Sequence, residues 1–302
     1  MSNMIPEYEA FLAQEAQDEW PPRPEILSAL RTLLIDPSAP AADVARACVS
    51  RAIAEANPTP EYGDLWSPFI GAVERFPEHC DRFVEFLIAL HELPDCDGEF
   101  KWLEGFSMYL CEFTYDYVDH CFNATTRETE RQRFLDANVF TIKFYQRLPR
   151  PNRFGFLINH GAWVLRRTLE HAPYERFHHP LIENVIQDCD EDEEDFYNMK
   201  RDEALEIIDV RALNGFVPAA AVWLEYCGKE IYEKQGSLGR EIRAYDKWKG
   251  SEGWSKERWA FWKERFTWIS AVTALDRKTR RIAKNVVESM RRIEQGDDGV
   301  LE

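Results

Sequence analysis

Two short stretches of this 302-residue chain carry side chains whose types and spacing suit proton donation to a bound molecule. Asp116 and His120 are one helical turn apart, and that spacing lets a carboxylate orient an imidazole and raise its basicity. Asn159 and His160 stand next to Gly161 and could donate hydrogen bonds to a substrate carbonyl. We predict His120, Asn159 and His160 as catalytic groups. Two alternatives remain open. Asp116 and His120 could form a buried pair that hydrogen-bonds only to itself, and Gly161 could serve only the close packing of two helices.

Aromatic residues form 13% of the chain and include ten tryptophans. A large core explains this content, and a cavity walled by rings, suited to a hydrophobic ligand, is the second interpretation. Apolar residues at helical spacing predict one central, aromatic-rich helix over residues 100–120. We predict that Trp102 and Tyr109 from this helix, together with Trp223, bind a hydrophobic small-molecule substrate.

An acidic run over residues 188–195 is the strongest candidate for a metal site. Asp190, Asp192 and Glu194 could hold magnesium as in class I terpene cyclases, because magnesium prefers carboxylate oxygens. The second metal-binding motif of those enzymes is absent from the sequence, and seven neighbouring acids favour a solvated loop. His178 and His179 lack a third ligand at matching spacing. We therefore predict no metal and no cofactor, and a magnesium-dependent cyclase is the disfavoured alternative.

The net charge of −17 argues against nucleic acid or an anionic membrane as the main partner. No apolar run reaches the roughly 18–20 residues that a membrane-spanning helix needs, so no membrane insertion is expected. The first residues do not read as a signal peptide. Seven cysteines, an odd number with no CxxC pair, indicate reduced thiols. A cytoplasmic location is expected, and the oligomeric state stays open.

Helical periodicity punctuated by proline dominates the chain, and no alternating strand pattern occurs in the sequence. The expected fold is all-α: a single compact multi-helix domain over residues 1–295, followed by a disordered tail at residues 296–302. Ser255 is a suitable N-cap for one of the last helices, and Val272 is near the predicted start of the other. Pro218 is predicted to begin the helix before them.

Several tryptophan-anchored segments resemble an uncharacterised, all-helical family of fungal proteins, a domain of unknown function common in filamentous ascomycetes. The resemblance covers roughly residues 62–270. It rests on Leu65–Ile70 (LWSPFI), Arg75–Pro77 (RFP), Leu87–Leu90 (LIAL), Trp102–Phe106 (WLEGF), Ala219–Gly228 (AAAVWLEYCG) with Ile231 and Tyr232, and Trp254–Phe266 (WSKERWAFWKERF).

The resemblance implies an all-helical protein, and some such proteins lie in natural-product gene clusters. The chain is also similar in size and helical class to the cofactor-free hetero-Diels–Alderases of tropolone–sesquiterpenoid biosynthesis. A cofactor-independent enzyme of fungal secondary-metabolite biosynthesis is therefore the expected function, with a hetero-Diels–Alderase as its specific form. The alternative is a non-catalytic helical binding or scaffolding protein.

Overall fold

The structure is a computed structural model that describes residues 4–55, 61–94, 99–115, 125–150, 153–171, 210–237 and 247–296. Helices occupy most of these ranges, where the one β-type contact is an isolated antiparallel bridge between Gly236 and Trp254. The predicted all-α class is confirmed. The helices are α1 (Ile5–Glu15), α2 (Pro24–Ile35), α3 (Ala41–Cys48), α4 (Ser50–Glu55), α5 (Trp66–Arg75), α6 (Cys80–His91), α7 (Glu99–Trp102), α8 (Phe106–Tyr115), α9 (Arg127–Arg147), α10 (Leu157–Leu169), α11 (Leu213–Glu233), α12 (Lys256–Ala271) and α13 (Arg277–Gln295).

Two compact units divide the chain. Unit 1 comprises Met1–Asp116 and Lys143–Gly155, and unit 2 comprises Tyr117–Ile142 and Phe156–Glu302. The single domain over residues 1–295 stays a prediction. Of the predicted tail, residue 296 is the left-handed C-cap of α13, and residues 297–302 lie outside the described ranges.

The core of unit 1 is built largely from aromatic rings, which account for much of the aromatic content of the sequence. The ring centroid of Phe69 lies 5.7 Å from that of Phe83 and 5.6 Å from that of Phe86. Phe106 contacts Phe144 edge-on at 5.6 Å. All five side chains are buried. Edge-on and offset ring pairs of this kind add to the free energy gained by burying their area.

The helix predicted over residues 100–120 is interrupted, which corrects the sequence-based expectation. α7 ends at Trp102 and α8 begins at Phe106, with positive φ angles of 47° at Leu103 and 80° at Gly105 between them. The backbone of Glu104 is fixed from outside this segment, because its carbonyl accepts a 2.6 Å hydrogen bond from the Trp66 indole. A left-handed turn ends the helical register, so the rings on either side do not share one helix face.

Unit 2 is organised around α11, which packs against both α10 and α13, while α12 packs against α10 and α13. α11 begins at Leu213, so Pro218 lies inside the helix rather than at its start. The helix continues through Pro218, although this residue has no N–H to donate to the carbonyl of Asn214. Ser255 is confirmed as the N-cap of α12, and its hydroxyl accepts from the Arg258 backbone at 3.1 Å.

α13 begins at Arg277, five residues later than the predicted start near Val272. The turn after α12 buries Leu275, which is 3% exposed, before Asp276 opens the helix.

A buried ion-pair network, the Glu170 clamp, holds the C-terminal end of α10 against α12. One carboxylate oxygen of Glu170 accepts hydrogen bonds from Arg258 Nε and Trp262 Nε1, each at 2.8 Å. The other accepts from Arg166 Nε at 3.3 Å. Arg265 donates to the carbonyl of the last residue of α10 at 3.0 Å. The clamp fixes the position and rotation of α10 within unit 2.

Candidate functional site

One strip of α10 is accessible, and the rest of the helix is buried. Among its 13 residues, Asn159, Trp163 and Arg167 are half-buried and the other ten are buried. These three follow one another at four-residue steps, and a helix places such residues on one face. We call this strip, together with the Phe216 ring of α11, the α10 face. A molecule that approaches α10 meets Asn159, Trp163 or Arg167, because the other ten residues of this helix are buried.

Arg167 is held against the α10 face by aromatic rings. Its guanidinium carbon lies 5.5 Å from the Trp163 ring centroid and 5.2 Å from that of Phe216. Cation–π contacts of this kind contribute about 0.5–2 kcal/mol, depending on exposure. Within the described part of the chain, no carboxylate or carbonyl oxygen accepts a hydrogen bond from this guanidinium, and its Nε atom is buried without a partner. The cation is thus positioned but not neutralised.

Asn159 supplies the polar end of the α10 face. Its side chain is half-buried, and the structure gives it no hydrogen bond within the described ranges. A carboxamide offers two N–H donors and one carbonyl acceptor. This placement agrees with its predicted role as a donor to a bound molecule, which stays a prediction.

His160 lies behind the α10 face rather than on it. Its ring stacks on Trp163 with a centroid distance of 5.7 Å and meets the edge of Trp223 at 5.9 Å. Burial lowers the pKa of His160 to about 3. The imidazole is therefore uncharged at pH 7, and its predicted catalytic role is limited to that of a neutral hydrogen-bonding group.

Trp223 is fully buried and backs this arrangement from α11. Its indole Nε1 donates to Asn138 Oδ1 at 2.8 Å, and Asn138 Nδ2 donates to the carbonyl of Phe134 at 2.8 Å. A Cβ atom added at Gly161 would lie 2.3 Å from the Trp223 ring, so the tryptophan occupies the space that the glycine leaves. Of the two explanations offered for Gly161, close packing is the one that the structure shows.

The remaining predicted site residues lie elsewhere. Trp102 and Tyr109 belong to unit 1, where Trp102 is 55% exposed and Tyr109 is half-buried. His120 and its predicted partner Asp116 lie outside the described residues. The structure therefore brings Asn159, His160 and Trp223 together in unit 2, and it places Trp102 and Tyr109 in unit 1.

The described residues offer no site for a metal ion. In the described ranges, no group of three or more His, Cys, Asp or Glu side chains is placed to hold a metal ion. The acidic run at residues 188–195 and the pair His178 and His179 lie outside those ranges. Cys48, Cys80 and Cys227 are buried cysteines. Burial is the main reason that the pKa of Cys48 rises to about 12, so this thiol is protonated at neutral pH and unreactive.

The site residues predicted from the sequence did not include Arg167 and Phe216. A signal for Arg167 was present, because Asn159, Trp163 and Arg167 repeat at four-residue steps through an otherwise apolar helix. Phe216 carried no such signal, since its contact with Arg167 depends on how α10 packs against α11.

Comparisons with known proteins add one finding. A family described as "Protein of unknown function (DUF3632)" matches residues 66–266, a range that includes the whole α10 face. No curated protein and no solved structure matches the chain. No described helix is long and apolar enough to cross a membrane.

Proposed function

We propose that this chain, which belongs to the DUF3632 family of proteins of unknown function, binds a hydrophobic small molecule on the α10 face of unit 2. One observation carries the proposal: the accessible strip of a buried helix joins a tryptophan ring, a carboxamide and a guanidinium that has no acid partner within the described ranges. Small-molecule sites combine apolar and aromatic surface with a few placed polar groups.

The layers behind the α10 face support the same proposal. His160 stacks on one face of the Trp163 ring and contacts Trp223, whose indole donates a hydrogen bond to Asn138. A ring that is packed from behind loses little conformational freedom when a ligand covers its outer surface. Trp163 is therefore a preorganised platform for a planar apolar group.

A titration with the neutral, environment-sensitive dye 6-propionyl-2-dimethylaminonaphthalene tests the proposal. We expect a blue shift of the dye emission on binding, and Trp163→Ala should weaken binding about tenfold, because one aromatic contact contributes about 1.5 kcal/mol. Trp163→Phe, which keeps a ring, should retain most of the affinity. Trp20→Ala, at a side chain that is 82% exposed, is the control. No binding by the wild-type protein, or equal losses in both alanine variants, would refute the proposal.

Turnover of the bound molecule is the finer part of the proposal. Arg167 and Asn159 can polarise a substrate carbonyl, and charge placed in advance stabilises charge that develops in a transition state. A ring platform that holds two apolar partners in a reactive geometry supplies several kcal/mol more, on the order of 7 or above in favourable cases. A cofactor-independent enzyme of fungal secondary metabolism, and a hetero-Diels–Alderase in particular, would use both effects.

The identity of the neighbouring genes helps to distinguish catalysis of a cycloaddition from ligand binding without turnover. A polyketide synthase gene and a terpene cyclase gene as neighbours would favour the cycloaddition, and housekeeping neighbours would count against it. In the first case, the purified protein should raise the rate and the enantiomeric excess of the pathway's cycloadduct, and Arg167→Gln should reduce both. Binding without any change in rate or stereochemistry would leave a non-catalytic ligand carrier.

A second candidate function, a scaffold for a partner protein, is favoured by an exposed surface of unit 1. Trp102 is 55% exposed and Met108 is 57% exposed, and Leu103 in the intervening turn has a positive φ. Tryptophan is enriched among the residues that dominate protein interfaces. A photo-crosslinking amino acid at position 102 should then capture one defined protein in cells, while the same group at Trp20 should not. Equal capture at both positions would exclude this role for Trp102.

A further inference from the structure

We propose that the molecule bound on the α10 face is an organic acid, an aromatic or polycyclic compound whose ionised carboxylate pairs with Arg167. This inference rests on the proposed function and specifies the chemical class of its ligand. The proposed function requires only a hydrophobic molecule with a carbonyl group. A carboxylate differs from a ketone because it is charged and offers two oxygens to the arginine.

The charge of Arg167 is the first step of the argument. A guanidinium stays ionised at any pH that a folded protein tolerates. Arg167 is half-buried, its Nε atom has no hydrogen-bond partner, and its described contacts are with the faces of Trp163 and Phe216. Removing a cation from water is costly unless an anion or several hydrogen bonds compensate, and two ring faces compensate only in part.

Three other arginines of this protein have a carboxylate that compensates their charge. Arg166 donates to the Glu170 carboxylate at 3.3 Å, and Arg258 donates to the same carboxylate at 2.8 Å. In unit 1, Arg23 grips Asp64 through Nε at 3.0 Å and through a terminal nitrogen at 2.7 Å. Carboxylates thus pair with Arg166, Arg258 and Arg23, whereas Arg167 has no carboxylate partner within the described residues, and a ligand would provide one.

The orientation of the guanidinium selects a carboxylate over a lone oxygen. Because ring faces contact Arg167 and its Nε atom is buried, the terminal nitrogens are the donors that an incoming group can reach. Two terminal nitrogens match the two oxygens of a carboxylate, and such paired, charge-assisted hydrogen bonds are about twice as strong as neutral ones. A ketone oxygen gains less, since it is uncharged and single.

Long-range attraction cannot be the source of this preference, because the whole chain carries a net charge of −17 and repels anions at a distance. The preference must come from contact with Arg167 itself. Added salt should therefore change the affinity for the acid only weakly, in contrast to proteins that gather anions with a broad basic surface.

The test compares two ligands that share a ring system, naphthalene-2-carboxylate and neutral 2-acetylnaphthalene, by isothermal titration calorimetry at pH 8. Wild-type protein should bind the carboxylate about tenfold more tightly than the ketone, the ratio that about 1.4 kcal/mol corresponds to. Arg167→Gln should abolish this ratio, because it should weaken binding of the carboxylate far more than binding of the ketone. Arg167→Lys, which keeps the charge but loses the fork, should give an intermediate ratio.

Arg280→Gln is the matched control. Arg280 is a half-buried arginine of unit 2 whose Nε atom is also buried without a hydrogen-bond partner, but no ring contact is described for it. This variant should keep the full preference for the acid. Equal affinity of the wild-type protein for both ligands, or an unchanged ratio in Arg167→Gln and Arg167→Lys, would overturn the inference and leave the proposed function standing. Binding of neither ligand would refute both.

Discussion

Two adjacent arginines of α10 have opposite surroundings. The side chain of Arg166 is 3% exposed and donates to Glu170 within a closed network that also contains Arg258 and Trp262. Arg167, the next residue, lies on another face of the helix. It contacts the rings of Trp163 and Phe216 and pairs with no carboxylate of the described residues. Consecutive helical residues point about 100° apart. The same residue type is therefore structural at one position and available to a ligand at the next.

This contrast shows how unit 2 separates stability from binding. The Glu170 clamp contains its own counter-charge and hydrogen bonds, so it fixes α10 whether or not a ligand is present. The α10 face lacks an acid of its own in the described structure, so its charge is left for something that arrives from solution. Changes in the clamp should alter folding, and changes on the face should alter binding.

The largest expected effect comes from Glu170→Gln. Removing this carboxylate takes the negative charge of Glu170 away from buried Arg166 and Arg258, and the loss of one partner from a buried ion pair costs about 3–5 kcal/mol. Urea denaturation should show this loss in the free energy of unfolding. Asp81→Asn is the control, because Asp81 is 53% exposed in its ion pairs and such surface pairs contribute about 1 kcal/mol or less. Similar losses in the two variants would mean that the Glu170 clamp contributes no more to stability than a surface ion pair does.

The free energy of unfolding should decrease at acidic pH because of His160, which is buried behind the α10 face. The pKa of His160 is about 3 in the folded protein against 6.5 in the unfolded chain, so only the unfolded state takes up a proton as the pH falls below 6.5. Stability should fall with pH by about 1.4 kcal/mol per unit, or about 2.7 kcal/mol by pH 4.5. The free energy of unfolding of His160→Gln, which cannot titrate there, should lack this component. Parallel pH profiles for the two proteins would contradict the assignment.

A smaller effect is expected from Gly161→Ala. The new methyl group would lie 2.3 Å from the Trp223 ring, and overpacking of this kind costs about 1–3 kcal/mol. Gly155→Ala is the control, since no atom lies within 4 Å of the corresponding position. Thermal denaturation should show a lower melting temperature for Gly161→Ala alone. An unchanged melting temperature would mean that Trp223 does not hold the position described here.

The smallest effect on stability is expected from Arg167→Gln. The variant loses two cation–π contacts but no hydrogen bond or ion pair of the described structure, so the free energy of unfolding should change by about 1 kcal/mol or less. Arg166→Gln, one residue earlier, should cost more because it removes a charged hydrogen-bond donor from the buried Glu170 carboxylate. If Arg167→Gln were the more destabilising of the two in urea, the distinction between the neighbouring arginines would be lost.

Sequence reasoning could predict what local chemistry decides. Helical periodicity identified the all-α class, the N-cap at Ser255 followed from residue type, and the neighbours Asn159 and His160 were recognised as a candidate site. Residues far apart in the chain decide the rest. The break after Trp102 depends on an indole 38 residues away from Glu104, and the position of Trp223 depends on Asn138, 85 residues away.

The availability of Arg167 lay beyond local prediction for a related reason. A sequence shows that an arginine is present, but only the packed fold shows which arginines have an acid beside them. Arg166 and Arg167 have the same side chain and adjoining positions, yet Glu170 lies one turn from Arg166 on the same helix and pairs with it. A spacing of four residues predicts that ion pair. The same spacing places Trp163 one turn from Arg167, but no spacing in the sequence predicts the contact with Phe216 or the lack of an acid partner in the described structure.

Nuclear magnetic resonance of the indole N–H groups tests the central claim most directly, because each of the ten tryptophans gives one signal in protein labelled with nitrogen-15. The Trp163 signal is identified by its loss in Trp163→Phe. Addition of 2-acetylnaphthalene should shift this signal more than any other. The signals of Trp223 and Trp262 should not shift, because both indoles are buried and donate hydrogen bonds, the first to Asn138 and the second to Glu170. A shift confined to other tryptophans, or no shift at saturating ligand, would contradict binding at the α10 face.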